Sequence, residues 1–362
     1  MIKHKDHFHG SDLEKIERIY HIPRKDIISF SANVNPLGIS PRLRHDLASH
    51  IDAISSYPDR DYTALKKSVS DYCLAEPQDI VIGNGTSELI SLFIQIIQPK
   101  RSLIIGPTYS EYEREITLTG GRIHYYPLRE EEQFQLNRDE LTKRLTDKLD
   151  LLIICNPNNP TSSAVSRNDM RLILDACKQH HTYVLVDETY IEFAEKGSAI
   201  SSVPLCRDYN NIIVLRSTSK FFAAPGLRLG YGICGNKDLL DEIHHHKSPW
   251  MVGSLADVAG QIMFADNDYI DKTRELISTE RNRLFHIFTA SERYRAFLPH
   301  ANFMLLKILD ESLDSHKLFD RAIREGMMIR DCSTFPFLND RYIRLCFMMP
   351  EANDRLVHCL LR

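Results

Sequence analysis

From Asp79 onward, short apolar or β-branched runs alternate with stretches whose apolar residues recur at helical spacing. The runs 102–105, 149–155, 183–186, 211–215 and 229–234 are bounded by turn-forming residues and predict strands. Helical periodicity predicts helices over 87–98, 110–119, 166–180 and 237–246. Ser, Thr or Asn lies near several of the helix starts, where a side-chain oxygen can accept the first unpaired N–H groups. This rhythm predicts an α/β fold, a mostly parallel sheet covered by helices. Beyond Pro249 the pattern changes to long polar helices over 254–290, a strand over 303–308, another helix and a last strand over 342–346. The run Asn33-Val34-Asn35-Pro36-Leu37-Gly38 predicts a loop between a short strand and a helix after Pro41. The expected organisation is a large α/β domain over 50–247 and a smaller α+β domain built from 1–49 and 248–362.

Composition narrows the class. The chain has 362 residues, 43% hydrophobic and 26% charged, which is ordinary globular usage and excludes disordered, collagenous and coiled-coil readings. Lys plus Arg is 45 against 49 Asp plus Glu, a formal net charge of -4, so no global basic field draws in nucleic acid or anionic lipid. A small-molecule partner is expected, with no nucleic acid and no membrane. The longest apolar stretch, 89–97, is interrupted by Ser91 and Gln95 and is far shorter than the ~18 residues of a membrane span. The basic N-terminus has no apolar core behind it, so no secretory signal is predicted and the expected location is the cytoplasm. Eight cysteines form no C-x-x-C pair, and several sit in apolar runs, as buried free thiols do. No metal is expected: His244, His245 and His246 are consecutive on a helix, point in different directions and predict a solvated helix end.

Three predicted strands run into unusual polar residues, and in an open α/β sheet ligands bind outside the carboxyl ends of the strands. One strand leads into Asn156-Pro157-Asn158-Asn159-Pro160-Thr161, one into Asp187-Glu188-Thr189-Tyr190 and one into Arg216-Ser217-Thr218-Ser219-Lys220. An amide, a carboxylate and an amine thus converge at one edge. A buried carboxylate suits a ring nitrogen that must stay protonated, and a desolvated lysine suits a carbonyl cofactor. Gly83-Asn84-Gly85-Thr86-Ser87 precedes a helix, where free N–H groups favour a phosphate, and Arg228 can supply countercharge. A dinucleotide motif would need glycine at position 88, which is Glu88.

These residues, in this order and spacing, resemble the fold-type I pyridoxal phosphate (PLP) enzymes, the aspartate aminotransferase-like fold. They resemble in particular the branch that holds histidinol-phosphate aminotransferase and threonine-phosphate decarboxylase. The most specific pieces are N-P-N-N-P-T at 156–161, D-E-T-Y at 187–190, and S-T-S-K with G-L-R-L-G-Y across 217–231. The resemblance implies that Lys220 is the Schiff-base lysine and proton shuttle and that Asp187 partners the pyridinium nitrogen. Asn159 and Tyr190 match positions that hydrogen-bond the cofactor's phenolic oxygen. Gly85, Thr86, Ser87, Ser217, Ser219 and Arg228 fall at or near the phosphate cradle, and Tyr109 matches the stacking aromatic. Tyr57 matches a residue that reaches a neighbouring subunit's site, which implies a homodimer. His9, Asn35, Arg330 and Arg344 are the implied substrate contacts.

PLP supplies the electron sink, and the protein selects the bond that breaks at the α-carbon by holding it perpendicular to the ring. Two outcomes therefore share one set of central residues: decarboxylation, as in the threonine-phosphate enzyme of cobamide synthesis, and transamination, as in the histidinol-phosphate enzyme. The stretches 31–38, 248–252 and 329–333 look more like the decarboxylase. The chain departs from its pattern at Ser11, Asp12, Ser162, Tyr190, Thr334 and Met348. A PLP-fold protein that binds without turnover is a third reading, opposed by the intact Lys220, Asp187 and Arg228.

Overall fold

Successive residues of a strand point to opposite faces of its sheet, and in this protein the two faces lie on two separate apolar cores. Leu151 and Ile153 belong to one core and Leu152 and Ile154 to the other; Leu185 and Ile213 part from Val184, Val186, Ile212 and Val214 in the same way. Strands buried on both faces need no polar alternation, which is why they appear in the sequence as unbroken apolar runs. The computed structural model describes residues 12–146 and 148–362. Its strands in chain order are β1 (Ile28–Ser29), β2 (Ile80–Gly83), β3 (Arg101–Gly106), β4 (Arg122–Pro127), β5 (Leu151–Cys155), β6 (Tyr183–Asp187), β7 (Ile212–Ser217), β8 (Gly230–Ile233), β9 (Tyr294–Ala296), β10 (Phe303–Ile308), β11 (Met327–Met328), β12 (Arg330–Asp331) and β13 (Tyr342–Cys346).

The central sheet has the order β2-β8-β7-β6-β5-β3-β4. The pairs from β7 to β4 are parallel, whereas β8 runs antiparallel to both β7 and β2. Helices Gly85–Ile97, Glu111–Leu118 and Lys237–His246 cover one face through residues such as Phe93, Tyr112 and Leu240, and Arg167–Gln179 covers the other through Ile173 and Leu174. Capping follows the expected chemistry: the Ser166 hydroxyl accepts from Asp169 N–H at 3.1 Å and the Asn236 carbonyl from Leu239 N–H at 3.2 Å. Two strands of this sheet escape the sequence pattern. β2 is a four-residue run hard against a glycine-rich turn, and β4 is an edge strand of sequence R-I-H-Y-Y-P, too polar to stand out.

The second sheet is antiparallel, β12-β13-β10-β9, flanked by the 23-residue helix Asn267–Thr289. The N-terminal segment joins this part of the molecule, because β1 pairs in parallel with β11, Ile28 opposite Met327. Two devices tie the sheets together. Glu130, beyond β4, receives Lys307 Nζ at 2.7 Å, Tyr342 OH at 2.6 Å and Arg295 Nη1 at 3.0 Å. Ser162 is fully buried and left-handed at φ 60, and its hydroxyl accepts the N–H groups of His300 and Ala301 at 3.0 and 2.8 Å. Among the described residues no helix is long and apolar enough to cross a membrane, no cluster could hold a metal, and the eight cysteines are unpaired.

Beneath the ends of β6 and β7, Glu188 is wholly buried and takes both Nε and Nη2 of Arg216 at 3.0 and 2.9 Å. Removing one member of such a pair strands the other charge in the core. Arg216→Ala is therefore expected to cost about 3–5 kcal/mol of stability, read as a lower urea midpoint with an unchanged denaturant slope.

Candidate active site

The carboxyl ends of the parallel strands open into a cavity of about 430 Å³. Its lining includes Thr86, Ser87, Tyr109, Asn159, Asp187, Tyr190, Ser217, Ser219, Lys220, Arg228, Arg330 and Arg344. Residues far apart in the chain and placed by both sheets thus meet in one space. Asp187 is the last residue of β6 and is 4% exposed. Its Oδ1 accepts Thr189 N–H at 2.9 Å and the Thr189 hydroxyl at 2.6 Å, and its Oδ2 accepts the Tyr112 hydroxyl at 2.6 Å. Burial pushes the Asp187 carboxyl upward in pKa while these donors pull it down, so a cationic ring N–H is the partner its site lacks.

Lys220 lies on the far wall, its Nζ donating to the Ala32 carbonyl at 2.7 Å. Burial lowers its pKa to about 8, helped by the charges of Arg344 and Arg228. About a tenth of the amine is then neutral, and so nucleophilic, at pH 7. Arg344 Nη2 donates to the Ser31 carbonyl at 2.5 Å, Nη1 donates to Asn159 Oδ1, and the guanidinium lies over the Phe303 ring at 5.2 Å. Arg344 Nε is buried without a partner among the described residues. Arg330 stands directly opposite Arg344 across the β12–β13 pairing, over the Phe335 ring at 5.1 Å. Two guanidiniums side by side on one wall suit a ligand that carries two anionic groups.

The anion cradle lies at the start of helix Gly85–Ile97. The Asn84 side chain does not cap this helix and Glu88 Oε2 takes the Asn84 N–H, so the N–H groups of the first turn that follows remain for a ligand. Gly85 is left-handed at φ 77, and a Cβ there would collide with the Arg228 guanidinium. A Cβ on Gly230 would stand 2.7 Å from the Thr86 nitrogen. The glycines thus let a cation and a strand approach the helix end closely. With Ser217 and Ser219 beside it, the cradle fits a phosphate; with Asp187 and Lys220 opposite, the whole cavity fits a phosphorylated pyridine aldehyde.

One sequence expectation needs correction. Asn35 does not line the cavity: its amide is spent on the Phe221 carbonyl at 2.8 Å, Tyr269 OH at 2.9 Å and Thr273 Oγ1 at 2.8 Å. Asn33 and Ser31 line it instead, each with a buried side-chain oxygen that has no partner among the described residues, and Asn33 Nδ2 points to Tyr190 OH at 3.4 Å. Tyr57 stands outside this chain's cavity, 81% exposed and packed on Trp250 at 4.9 Å. His9 lies outside the described residues. Tyr112 carries the helical period of 110–119 and was legible there only as a core residue; its hydroxyl at Asp187 is a tertiary fact.

Comparison with known proteins accords with this geometry. The profile of aminotransferase class I and II matches residues 25–360. The chain is 31% identical over 352 residues to threonine-phosphate decarboxylase of Salmonella typhimurium, covering 97% of this chain and 95% of that protein. It is 31% identical over 340 residues to histidinol-phosphate aminotransferase 2 of Archaeoglobus fulgidus, covering 93% of each. The crystal structure of histidinol-phosphate aminotransferase from Clostridium acetobutylicum superposes with a TM-score of 0.85 at 31% identity, over 91% of this chain and 97% of that one.

Two outcomes follow. The rate at which the cofactor-free protein captures pyridoxal phosphate should rise with pH and level off above about 8, as Lys220 loses its proton; stopped-flow absorbance checks this. Tyr112→Phe takes a donor from Asp187 and should weaken cofactor affinity by about tenfold or more, read by fluorescence titration.

Proposed function

The chain belongs to the class I and II aminotransferases, enzymes that work with pyridoxal 5'-phosphate, and from that premise we propose that it decarboxylates an amino-acid phosphate such as L-threonine O-3-phosphate. The adjacent guanidiniums of Arg330 and Arg344 carry this reading, because that substrate bears a carboxylate and a phosphate. Its similarity to the Salmonella typhimurium decarboxylase supports it. A decarboxylase of this kind would serve cobamide assembly.

When bound, the cofactor supplies an electron sink for the bond that breaks at the substrate's α-carbon. Lys220 would hold the cofactor's aldehyde carbon, and its Nζ, once freed by the substrate's amine, would deliver a proton to the α-carbon. Asp187 keeps the ring nitrogen protonated, with Tyr112 and Thr189 fixing its two oxygens. Thr86, Ser87, Ser217, Ser219 and Arg228 would hold the cofactor phosphate, and Tyr109, Tyr190 and Asn159 would hold its ring and phenolic oxygen. Arg344, steadied by Asn159 and the Ser31 carbonyl, orients the substrate carboxylate. Arg330, Ser31 and Asn33 face the side-chain phosphate. In this reading 50–247 is the cofactor-binding domain, and 1–49 with 248–362 closes over it.

The working unit is a homodimer in the cytoplasm. Ile51, Ile54, Tyr57 and Trp250 are large, exposed and apolar, and a second copy covering them would bring Tyr57 to the neighbouring cavity. The eight free cysteines suit a reducing compartment. The aminotransferase alternative uses the same Lys220 to move the α-proton, and its support is the 31% identity to the Archaeoglobus fulgidus and Clostridium acetobutylicum histidinol-phosphate aminotransferases.

The deciding experiment is a single turnover of the PLP-loaded protein with O-phospho-L-threonine and no keto acid. Carbon dioxide released with the cofactor still in its aldehyde form is the expected result; conversion to pyridoxamine phosphate without carbon dioxide refutes decarboxylation. In the same assay Arg330→Ala should raise KM for the phosphorylated substrate about tenfold or more while leaving cofactor affinity unchanged.

A further inference from the structure

One buried polar cluster outside the cavity has no part in this chemistry. Glu192 lies on the turn Ile191–Phe193, just past Tyr190, and is 5% exposed. Neither of its carboxyl oxygens has a hydrogen-bond partner among the described residues. The hydroxyls of Tyr72, on helix Thr63–Cys73, and Tyr231, on β8, are also shut from solvent and unpartnered. Tyr72 and Tyr231 pack against one ring, Phe264, with centroids 5.1 and 5.5 Å away, and a charge on Glu192 would raise both phenols. Around them are the rings of Phe222 and Phe264. Buried polar groups that lack protein partners are commonly joined by ordered water.

The surrounding charges do not repair a Glu192 carboxylate. Arg216 on β7 favours it, but Nε and Nη2 of that guanidinium are committed to Glu188 and Ser201. Glu188 opposes ionisation, Arg274 on helix Asn267–Thr289 favours it more weakly than Arg216 does, and burial holds the Cys73 thiol neutral. We propose that Glu192 is a positioning residue held in its protonated form, joined through buried water to Tyr72 and Tyr231, and that it braces the turn carrying Tyr190. The same turn lays Phe193 on Phe221, the neighbour of Lys220, with ring centroids 5.0 Å apart. The bracing therefore reaches both sides of the cavity.

Burial pushes the Glu192 carboxyl up to about 7. In the unfolded chain a glutamate ionises near ~4.3. The folded state thus keeps a proton that the unfolded state has lost, and stability falls as pH rises from about 4 to 7, then levels off. Glu192→Gln keeps the shape and stays neutral, so it escapes that loss. The test is the melting temperature of the PLP-loaded full chain between pH 5 and 9, a readout independent of which reaction the enzyme performs. The variant's melting temperature relative to wild type should rise by about 3 °C or more between pH 5 and 8; a constant difference overturns the proposal.

Positioning is read separately from stability. The pH titration of the wild-type visible band should contain a step near 7 that Glu192→Gln lacks, and identical titrations overturn the bracing role. If Glu192→Gln does not fold, Tyr72→Phe serves instead. Losing a phenol that could donate to the carboxylate should move the window of stability loss to higher pH, and a window that stays in place counts against the cluster.

Discussion

A lysine that shares one cavity with two arginines, and whose amine rests on a backbone carbonyl, is the constraint around which this site is arranged. Lys220 shares its cavity with Arg344 and Arg228, and its amine rests on a backbone carbonyl rather than on a carboxylate. Desolvation and like charge both disfavour the ammonium, so the site is at ease with a neutral amine or with an anion between the cations. The N-terminal strap makes this tolerable. Ser31 offers its carbonyl to Arg344, Ala32 offers its carbonyl to Lys220, and Asn33 reaches toward Tyr190. Three successive residues far from the lysine in sequence thus hold the polar groups that would otherwise drift toward water.

That arrangement needs two sheets held at fixed separation. The large sheet delivers Asp187, Ser217 and the loop that carries Asn159; the small one delivers Arg330 and Arg344 from paired strands. Contact between them is polar and specific. Arg344 donates to Asn159, and Ser162 gathers the backbone N–H groups of His300 and Ala301. Lys307, Arg295 and Tyr342 of the small sheet converge on Glu130 at the edge of the large one. A binding wall that spans such a junction is positioned by the junction itself, which makes Ser162 and Glu130 as relevant to recognition as residues that touch a ligand.

Much of this was legible in the chain because its physics is local. The doubly buried strands announce themselves as apolar runs, and the polar residues at their carboxyl ends, Asp187 and Lys220 above all, fall where an open α/β sheet places ligands. What was not legible depends on tertiary contact. Alternation of strand and helix carries no direction, so the antiparallel course of β8 is invisible until Tyr231 is seen opposite Arg216. Asn33 and Asn35 sit two residues apart in one turn-rich run, and only the neighbours Phe221, Tyr269 and Thr273 decide that Asn35 is structural. Tyr112 looks like any aromatic on a helix's buried face until its hydroxyl is found 2.6 Å from Asp187. The strand β4 hides because an edge strand can afford Arg122 and His124.

The central claim is that Lys220, alone among the lysines, is the amine built to hold the cofactor. Borohydride reduction of the PLP-loaded protein, followed by proteolysis and mass spectrometry, tests it most directly. The account predicts a single phosphopyridoxyl modification on the peptide that contains Lys220. Modification of a different lysine, or none after full loading, would contradict it.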